Sequence, residues 1–256
     1  MGRRVVAAIA ALPDHDVVGV DRSRVDLCDL SAVDALVAEF APDAVVHLAS
    51  IVPSSVRASS GFAENVAMMS ALARACERNG VGRVVFASSS AVYGDANNFA
   101  VTEEQALDVR SDYAQSKVDS EEVLARANVE SVALRIFNVF GPGFDDSLVH
   151  RLLNSEASDP VRVRDLDRFV RDYVHVDDVV EAALLALHVS LPTPNVTVNV
   201  GTGVATSNRE LIRQLSRERE LHFVEVGGDP SVSFAETSFA MRVLSFRASR
   251  TVTHGA

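Results

Sequence analysis

An α/β fold wound about a parallel sheet is predicted by three features of the sequence. Short β-branched runs alternate with longer segments of helical apolar spacing. The runs are almost continuously apolar, as strands covered on both faces must be. Their order is strand, helix, strand, which supplies the crossovers a parallel sheet needs. The 256 residues are 48% hydrophobic and 23% charged, enough for one sizeable core and inconsistent with a disordered chain.

Residues 5–12 read as a helix, because the basic start Met1-Gly2-Arg3-Arg4 is followed by an apolar run too short for a secretion signal or a membrane span. Strands are predicted at 17–19, 44–49, 83–88 and 131–136. Between them Ser31 can cap a helix over 32–40, a helix over 63–79 stops at Gly80, and Ser111 or Asp112 can cap a helix reaching 127. A helix over 177–188, a strand over 196–200, a helix over 207–219 and a strand over 222–226 read as a smaller mixed lobe. Residues 227–256 show too little periodicity for an element. The expected organisation is a core over 1–140 and a second lobe mainly over 141–256, with some elements returning to the core.

The formal charge of -11 gives no basic face, so neither nucleic acid nor an anionic membrane is an expected partner. Cys28 and Cys76 cannot build a disulfide framework or a paired-cysteine metal site, and they suit a reducing cytoplasm. His47 stands at a strand end without ligands at metal spacing and reads as structural, so no metal is expected. The chain holds 23 Arg but a single Lys, and Lys117 stands four residues after Tyr113, one of three tyrosines. On a helix that spacing puts both side chains on one face.

A doubly wound, Rossmann-type sheet opens with a strand and a glycine-rich turn, yet this sequence opens on the helix that should follow them. Gly2 would be the last glycine of a G-x-x-G-x-x-G loop, and Val17-Val18-Gly19-Val20-Asp21 the second strand with its acidic end. The first strand and most of the loop are missing, so the natural reading frame is expected to begin upstream. Without the loop's backbone amides, pyrophosphate affinity should fall. Asp21 taken alone reads as a turn former more often than as a ribose ligand.

Four ordered blocks carry a resemblance. They are Phe86-Ala87-Ser88-Ser89-Ser90-Ala91-Val92-Tyr93-Gly94, Tyr113-x-x-x-Lys117, Leu134-Arg135-Ile136-Phe137-Asn138-Val139-Phe140-Gly141-Pro142 and Arg171-Asp172-Tyr173-Val174-His175-Val176-Asp177-Asp178. With them the sequence resembles the extended short-chain dehydrogenase/reductase family, in particular nucleotide-sugar epimerases, dehydratases and 4-ketoreductases, over roughly residues 2–214.

The resemblance implies Tyr113 as catalytic acid/base, Lys117 as its electrostatic partner and Ser89 as the hydroxyl that bonds the reacting sugar oxygen. The residues themselves leave Ser88 and Ser90 open as alternatives. A nearby ammonium should lower the phenol from its ordinary value near 10 toward working pH, and its other donors suit the nicotinamide ribose. By the same resemblance Gly2 approaches the pyrophosphate, Asp21 accepts from the adenosine ribose, and Asp26 and Leu27 belong to an adenine loop. Leu48, Ala49 and Ser50 line the cofactor, and Phe137 lies on its nicotinamide side. Asn138 contacts substrate, and Arg171 binds the substrate diphosphate with its forked guanidinium. The lesser alternative for Arg171 is a surface ion pair with Asp172 or Asp177.

The implied cofactor is NAD, since an acidic Asp21 repels a 2′-phosphate, although Arg22 and Arg24 leave NADP open. The implied partners are a nucleotide-sugar substrate and a second copy, in a homodimer built on the helices over 63–79 and 111–127. Ala67, Ala71 and Ala75 would permit that close approach, and an intrachain packing face predicts the same pattern.

One departure narrows the chemistry. Dehydratases of the family carry Asp-Glu where this chain has Ser90-Ala91, so no side chain there can move the protons of sugar dehydration. What remains is hydride transfer at a carbinol or keto carbon, by a 4-epimerase or a 4-ketoreductase. The compact region between Pro142 and Arg171 leans slightly toward the ketoreductase. The competing class is a non-catalytic, degenerate dinucleotide-binding paralogue serving as an interaction module.

Overall fold

The computed structural model describes residues 1–54, 61–217 and 219–252. Its elements are α1 (Gly2–Ala10), α2 (Leu30–Phe40), β1 (Ala44–His47), α3 (Ala63–Asn79), β2 (Arg83–Ser89), α4 (Asp112–Arg126), β3 (Glu130–Ile136) and β4 (Asn138–Phe140). They continue through α5 (Leu148–Leu153), β5 (Val161–Arg164), β6 (Phe169–Arg171), β7 (Tyr173–His175), α6 (Val176–His188) and β8 (Asn195–Val200). The last are β9 (Thr206–Ser207), α7 (Asn208–Leu215), β10 (Phe223–Val226), β11 (Ser231–Ser233) and α8 (Ser238–Leu244). The central sheet runs in the order β1-β2-β3-β8, and β1 lies parallel to β2 with Ala44 opposite Arg83 and His47 opposite Phe86. This is the α/β class predicted.

The chain divides into two compact units. The first comprises Met1–Val92, Val109–Arg135 and Ala183–Val198. Within it α3 packs against both α2 and α4, and their inward faces meet the sheet in a cluster that includes Val33, Met69, Leu72, Val84, Phe86 and Leu124. The cap of α2 is Asp29 rather than Ser31, since the Asp29 carboxylate accepts from the backbone N–H of both Ser31 and Ala32. An ionised acceptor at the positive end of the helix outcompetes a hydroxyl. Gly80 ends α3 in the left-handed region at φ 70°, as expected, and Ser111 is the residue that caps α4. Arg83 holds the far end of α6 by donating from Nη1 to the carbonyls of Ala186, Leu187 and Val189, while pairing with Glu130 at 2.6 Å.

The strand expected over 17–19 is absent. Residues 15–20 carry no ladder, and Val18 and Val20 are 47% and 39% exposed. Apolar branched residues make a strand only where a neighbour pairs with their backbone, and none of the described residues pairs with these.

The second unit comprises Tyr93–Asp108, Ile136–Ala182 and Asn199–Ala256. Here β4 runs parallel to β7, β6 lies between a parallel β11 and an antiparallel β9, and β5 runs parallel to β10. Phe140, Leu152, Val163, Tyr173, Leu211 and Leu215 are among the residues of its core. The helix expected over 207–219 ends at Leu215, and residue 218 lies outside the described residues.

Asp172 organises this unit from a position of 0% exposure. Its carboxylate accepts from the N–H of Thr202 at 2.8 Å, Gly203 at 2.9 Å and Ala235 at 3.2 Å, and from the Thr202 hydroxyl at 2.6 Å. Burial raises its pKa, and the same four hydrogen bonds oppose that rise. Gly201 allows the approach, because a Cβ there would lie 2.5 Å from Asp172 Oδ2 and 2.9 Å from Ala235 Cβ. A carboxylate fixed by four donors cannot give way. Gly201→Ala should therefore lower stability by about 2 kcal/mol, roughly 4 to 8 °C in a thermal melt. Gly227→Ala, with nothing within 4 Å of the added carbon, should leave the melt unchanged. Equal melts for the two variants would contradict this packing.

Candidate active site

Ser89 is the last residue of β2, and Tyr113 and Lys117 lie one turn apart on α4, so the strand end and the first turns of one helix bring the three together. The Tyr113 side chain shares a hydrogen bond with Ser89, whose Oγ also accepts from the N–H of Ala91 at 3.2 Å. Lys117 is 3% exposed. Its Nζ donates to the Ala87 carbonyl at 2.8 Å and lies 4.8 Å from the Phe86 ring centroid and 5.7 Å from that of Tyr113. The offset of four residues thus places ammonium and phenol on one face, as the sequence predicts.

The neighbouring serine is committed elsewhere. Ser88 Oγ donates to Glu121, one turn beyond Lys117, and Glu121 forms a forked pair with Arg135 at 3.1 and 2.7 Å. Of the alternatives left open by the residues, Ser89 is the one hydrogen-bonded to the tyrosine. Glu121 and Arg135 escaped the sequence reading, because their partnership spans two elements and follows no local spacing.

Burial pushes the Lys117 ammonium down to about 8 from its ordinary 10.5, and the Glu121 carboxylate opposes that fall. Burial, followed by the Lys117 charge, pushes His47 down to about 4, so its ring is neutral at neutral pH, stacked 5.9 Å from Phe86. Tyr113 departs from the expectation that Lys117 lowers it. Its phenol is raised above 10, because the burial of a phenolate outweighs the Ser89 hydrogen bond. At neutral pH the pair is phenol and ammonium.

Asn65 is a third residue the sequence reading missed. Its amide accepts from the Ile51 N–H at 2.7 Å and donates to the Ile51 carbonyl at 3.0 Å and to Ser116 Oγ at 3.2 Å. It thereby ties the segment after β1, which contains Leu48, Ala49 and Ser50, to the turn of α4 between Tyr113 and Lys117. Ala49 is exposed and Leu48 and Ser50 are half-buried, with Ser50 Oγ donating to the Ile51 carbonyl at 3.3 Å.

The residues expected at the adenosine end are more open. Gly2 begins α1 with free space around its α-carbon. Asp21 is exposed, and its carboxylate accepts from the Ser23 N–H at 2.9 Å and hydroxyl at 2.6 Å, bonds that lower its pKa. It forms the turn that its residue type alone suggests. Asp26 accepts from the Cys28 N–H at 3.1 Å, and Leu27 packs on the first unit's core. Arg24 lies 4.7 Å from the Phe40 ring centroid and 3.5 Å from Glu39.

In the second unit Phe137 is buried with its N–H on the Val200 carbonyl, and Asn138 is exposed. Asn138 and Arg171 both line a cleft of about 400 Å³. Arg171 donates to Ser231 Oγ at 2.7 Å, lies 3.6 Å from Asp95 and stacks 3.8 Å from the Phe169 centroid. The ion pair weighed for it with Asp172 or Asp177 is not formed, because Asp172 is consumed by the 202–203 turn and Ala235 while Asp95 approaches the guanidinium instead. Among the described residues no cluster of three or more His, Cys, Asp or Glu could hold a metal, and no helix is long and apolar enough to cross a membrane.

Residues 1–201 match the model of the NAD dependent epimerase/dehydratase family. The UDP-glucose 4-epimerase of Lactobacillus helveticus is 30% identical over 254 residues, covering 87% of this chain and 77% of that protein. Among solved structures, the UDP-glucose 4-epimerase of Thermus thermophilus in complex with NAD superposes with a TM-score of 0.81 at 27% identity, covering 99% of this chain and 92% of the other. MoeE5 in complex with UDP-glucuronic acid and NAD gives 0.79 at 28% identity, with the same coverage.

The buried ammonium sets a pH-dependent stability. Its folded value of about 8 lies below the unfolded 10.5, so between those pH values the unfolded chain binds more protons and stability rises with pH. Below pH 8 the folded protein carries the full cost of the buried charge, about 3 kcal/mol. Lys117→Met should therefore be more stable than the parent at pH 7, with the gap closing between pH 8 and 10.5 in denaturant titrations. A variant less stable than the parent at every pH would contradict it.

Proposed function

The chain belongs to the NAD dependent epimerase/dehydratase family, and from that premise we propose that it inverts the C4 carbinol of a UDP-linked hexose with NAD as its cofactor. The observation that carries the reading is the convergence of Ser89, Tyr113 and Lys117 at the end of β2 and the start of α4. The same convergence favours an enzyme over a non-catalytic module. The 4-epimerase relatives favour epimerisation over ketoreduction, and Ser90 and Ala91 supply no carboxylate for dehydration.

The residues present fit a dinucleotide at its nicotinamide end. Lys117 keeps three donors, of which the Ala87 carbonyl takes one, so two remain for ribose hydroxyls. Asp21 and Asp26 offer carboxylates for the adenosine end, and NAD is favoured over NADP because Arg24 is engaged with Glu39 and Phe40. When bound, NAD would supply reversible hydride transfer at the C4 carbon. The protein's own part is proton management. Ser89 holds the C4 oxygen through its hydroxyl, and Tyr113, as the phenolate left once its own proton has gone to solvent, takes the proton from that oxygen and later restores it. Lys117, charged below about pH 8, stabilises the phenolate as it forms.

The first unit is read as the cofactor-binding part and the second as the substrate-binding part, with Asn138 and Arg171 on the cleft that takes the nucleotide diphosphate. A homodimer through α3 and α4 belongs to the same reading. Of the small residues named for it, Ala71 and Ala75 are buried within the chain and Ala67 is exposed.

Purified protein with NAD should interconvert UDP-glucose and UDP-galactose in a coupled spectrophotometric assay. Tyr113→Phe should lower kcat by about 10²–10⁴-fold while still binding NAD. Full turnover by that variant would remove Tyr113 from the proton chemistry, and a parent protein inactive on a panel of UDP-sugars would contradict the function.

A further inference from the structure

We propose that Asn208 reads the base of the substrate, accepting a hydrogen bond from the imide N3–H of uracil; the inference rests on the nucleotide-sugar reading above. Asn208 is the first residue of α7, directly after β9, and is 1% exposed. Ser207 caps that helix by accepting from the Glu210 N–H at 3.1 Å, which fixes the first turn. The Asn208 Nδ2 donates to the Arg164 carbonyl at 2.6 Å and faces the Asp165 carbonyl at 3.4 Å. Two carbonyls on the nitrogen side fix the orientation of the amide, so Oδ1 is the atom left over. Oδ1 is buried and accepts no hydrogen bond from the described residues. Buried amide oxygens are almost always satisfied, so this one calls for a donor from outside the chain.

The surroundings say what kind of donor. Asn208 lines the cleft of about 400 Å³ together with Arg151, Arg162, Arg164, Arg171 and Phe169. Arg151, Arg162 and Arg164 have no ion-pair partner among the described residues, and the Arg164 charge acts unfavourably on Arg171. Guanidinium groups only donate, so four of the cleft's side chains offer donors alone, against the carboxylate of Asp146 and the amides of Asn138 and Asn208, of which Asn208 Oδ1 is the buried acceptor without a donor among the described residues. Its complement is an anionic ligand whose polar edge carries one donor between acceptors. Uracil has that edge, with N3–H between O2 and O4, and its diphosphate suits the unpaired arginines. Cytosine in the same pose would set the N3 lone pair against Oδ1, and guanine would bring two adjacent donors to a single acceptor.

The test is calorimetric titration of the NAD-loaded protein with UDP, CDP, N3-methyl-UDP and inorganic pyrophosphate. UDP should bind at least about tenfold more tightly than CDP or N3-methyl-UDP, the effect of one buried acceptor left unpaired. Asn208→Ala should abolish the preference for UDP over CDP and leave pyrophosphate affinity unchanged. Because the ligand series is read on the parent protein, it decides the matter even where the variant fails to fold. Equal affinities for UDP, CDP and N3-methyl-UDP, with UDP-hexose turnover intact, would overturn the role of Asn208 alone. A parent protein that binds neither UDP nor pyrophosphate would overturn the nucleotide-sugar reading with it.

Discussion

The site depends on keeping a charged ammonium out of water. Lys117 is almost wholly buried, and its charge is sustained by the Ala87 carbonyl, the faces of Phe86 and Tyr113, and the Glu121 carboxylate one turn along α4. These groups compensate burial incompletely, which is why the proton leaves at about 8 instead of 10.5. The incomplete compensation matters for function. An ammonium that is well hydrated or fully paired has little charge to offer a neighbour, whereas a desolvated one stabilises any anion formed beside it. The phenol of Tyr113 and the ammonium are therefore complementary: the first resists ionising because it is buried, and the second is the group that can lower that resistance.

Around the pair, rigidity comes from side chains that never meet a substrate. Glu121 joins Ser88 to Arg135 and so locks α4 to β2 and β3. Asn65 joins the Ile51 backbone to Ser116. In the second unit Asp172 performs the same service for the 202–203 turn and Ala235, leaving Arg171 to the cleft. Each is a buried or half-buried polar group satisfied by several partners, the arrangement that holds functional side chains within a narrow range of positions.

What could be read from the sequence was whatever depends on local spacing. The Tyr113–Lys117 offset, the Gly80 stop, the Ser111 cap and the main strands from 44 to 136 are all short-range, and the structure has them. The cap of α2 went to Asp29 because a carboxylate at the position before the helix competes better than Ser31. The segment at 17–19 has the composition of a strand but no neighbour, and a strand is a property of two segments. Strands β4 to β7, β9 and β11 are two to four residues long, too short for periodicity to register. Asp172, Glu121, Arg135 and Asn208 act through partners as much as 63 residues away, and no spacing rule reaches them. The direction of the Tyr113 acidity was missed for a similar reason, since burial is a property of the whole fold.

Because the chain contains one lysine, its ammonium can be observed without assignment. The decisive measurement is an NMR titration of the Lys117 side chain, labelled at Cε or Nζ, across pH 6 to 12. A midpoint near 8 would establish the desolvated charge on which the proton chemistry rests. A midpoint at the ordinary 10.5 would show a solvated lysine and remove the basis for its partnership with Tyr113.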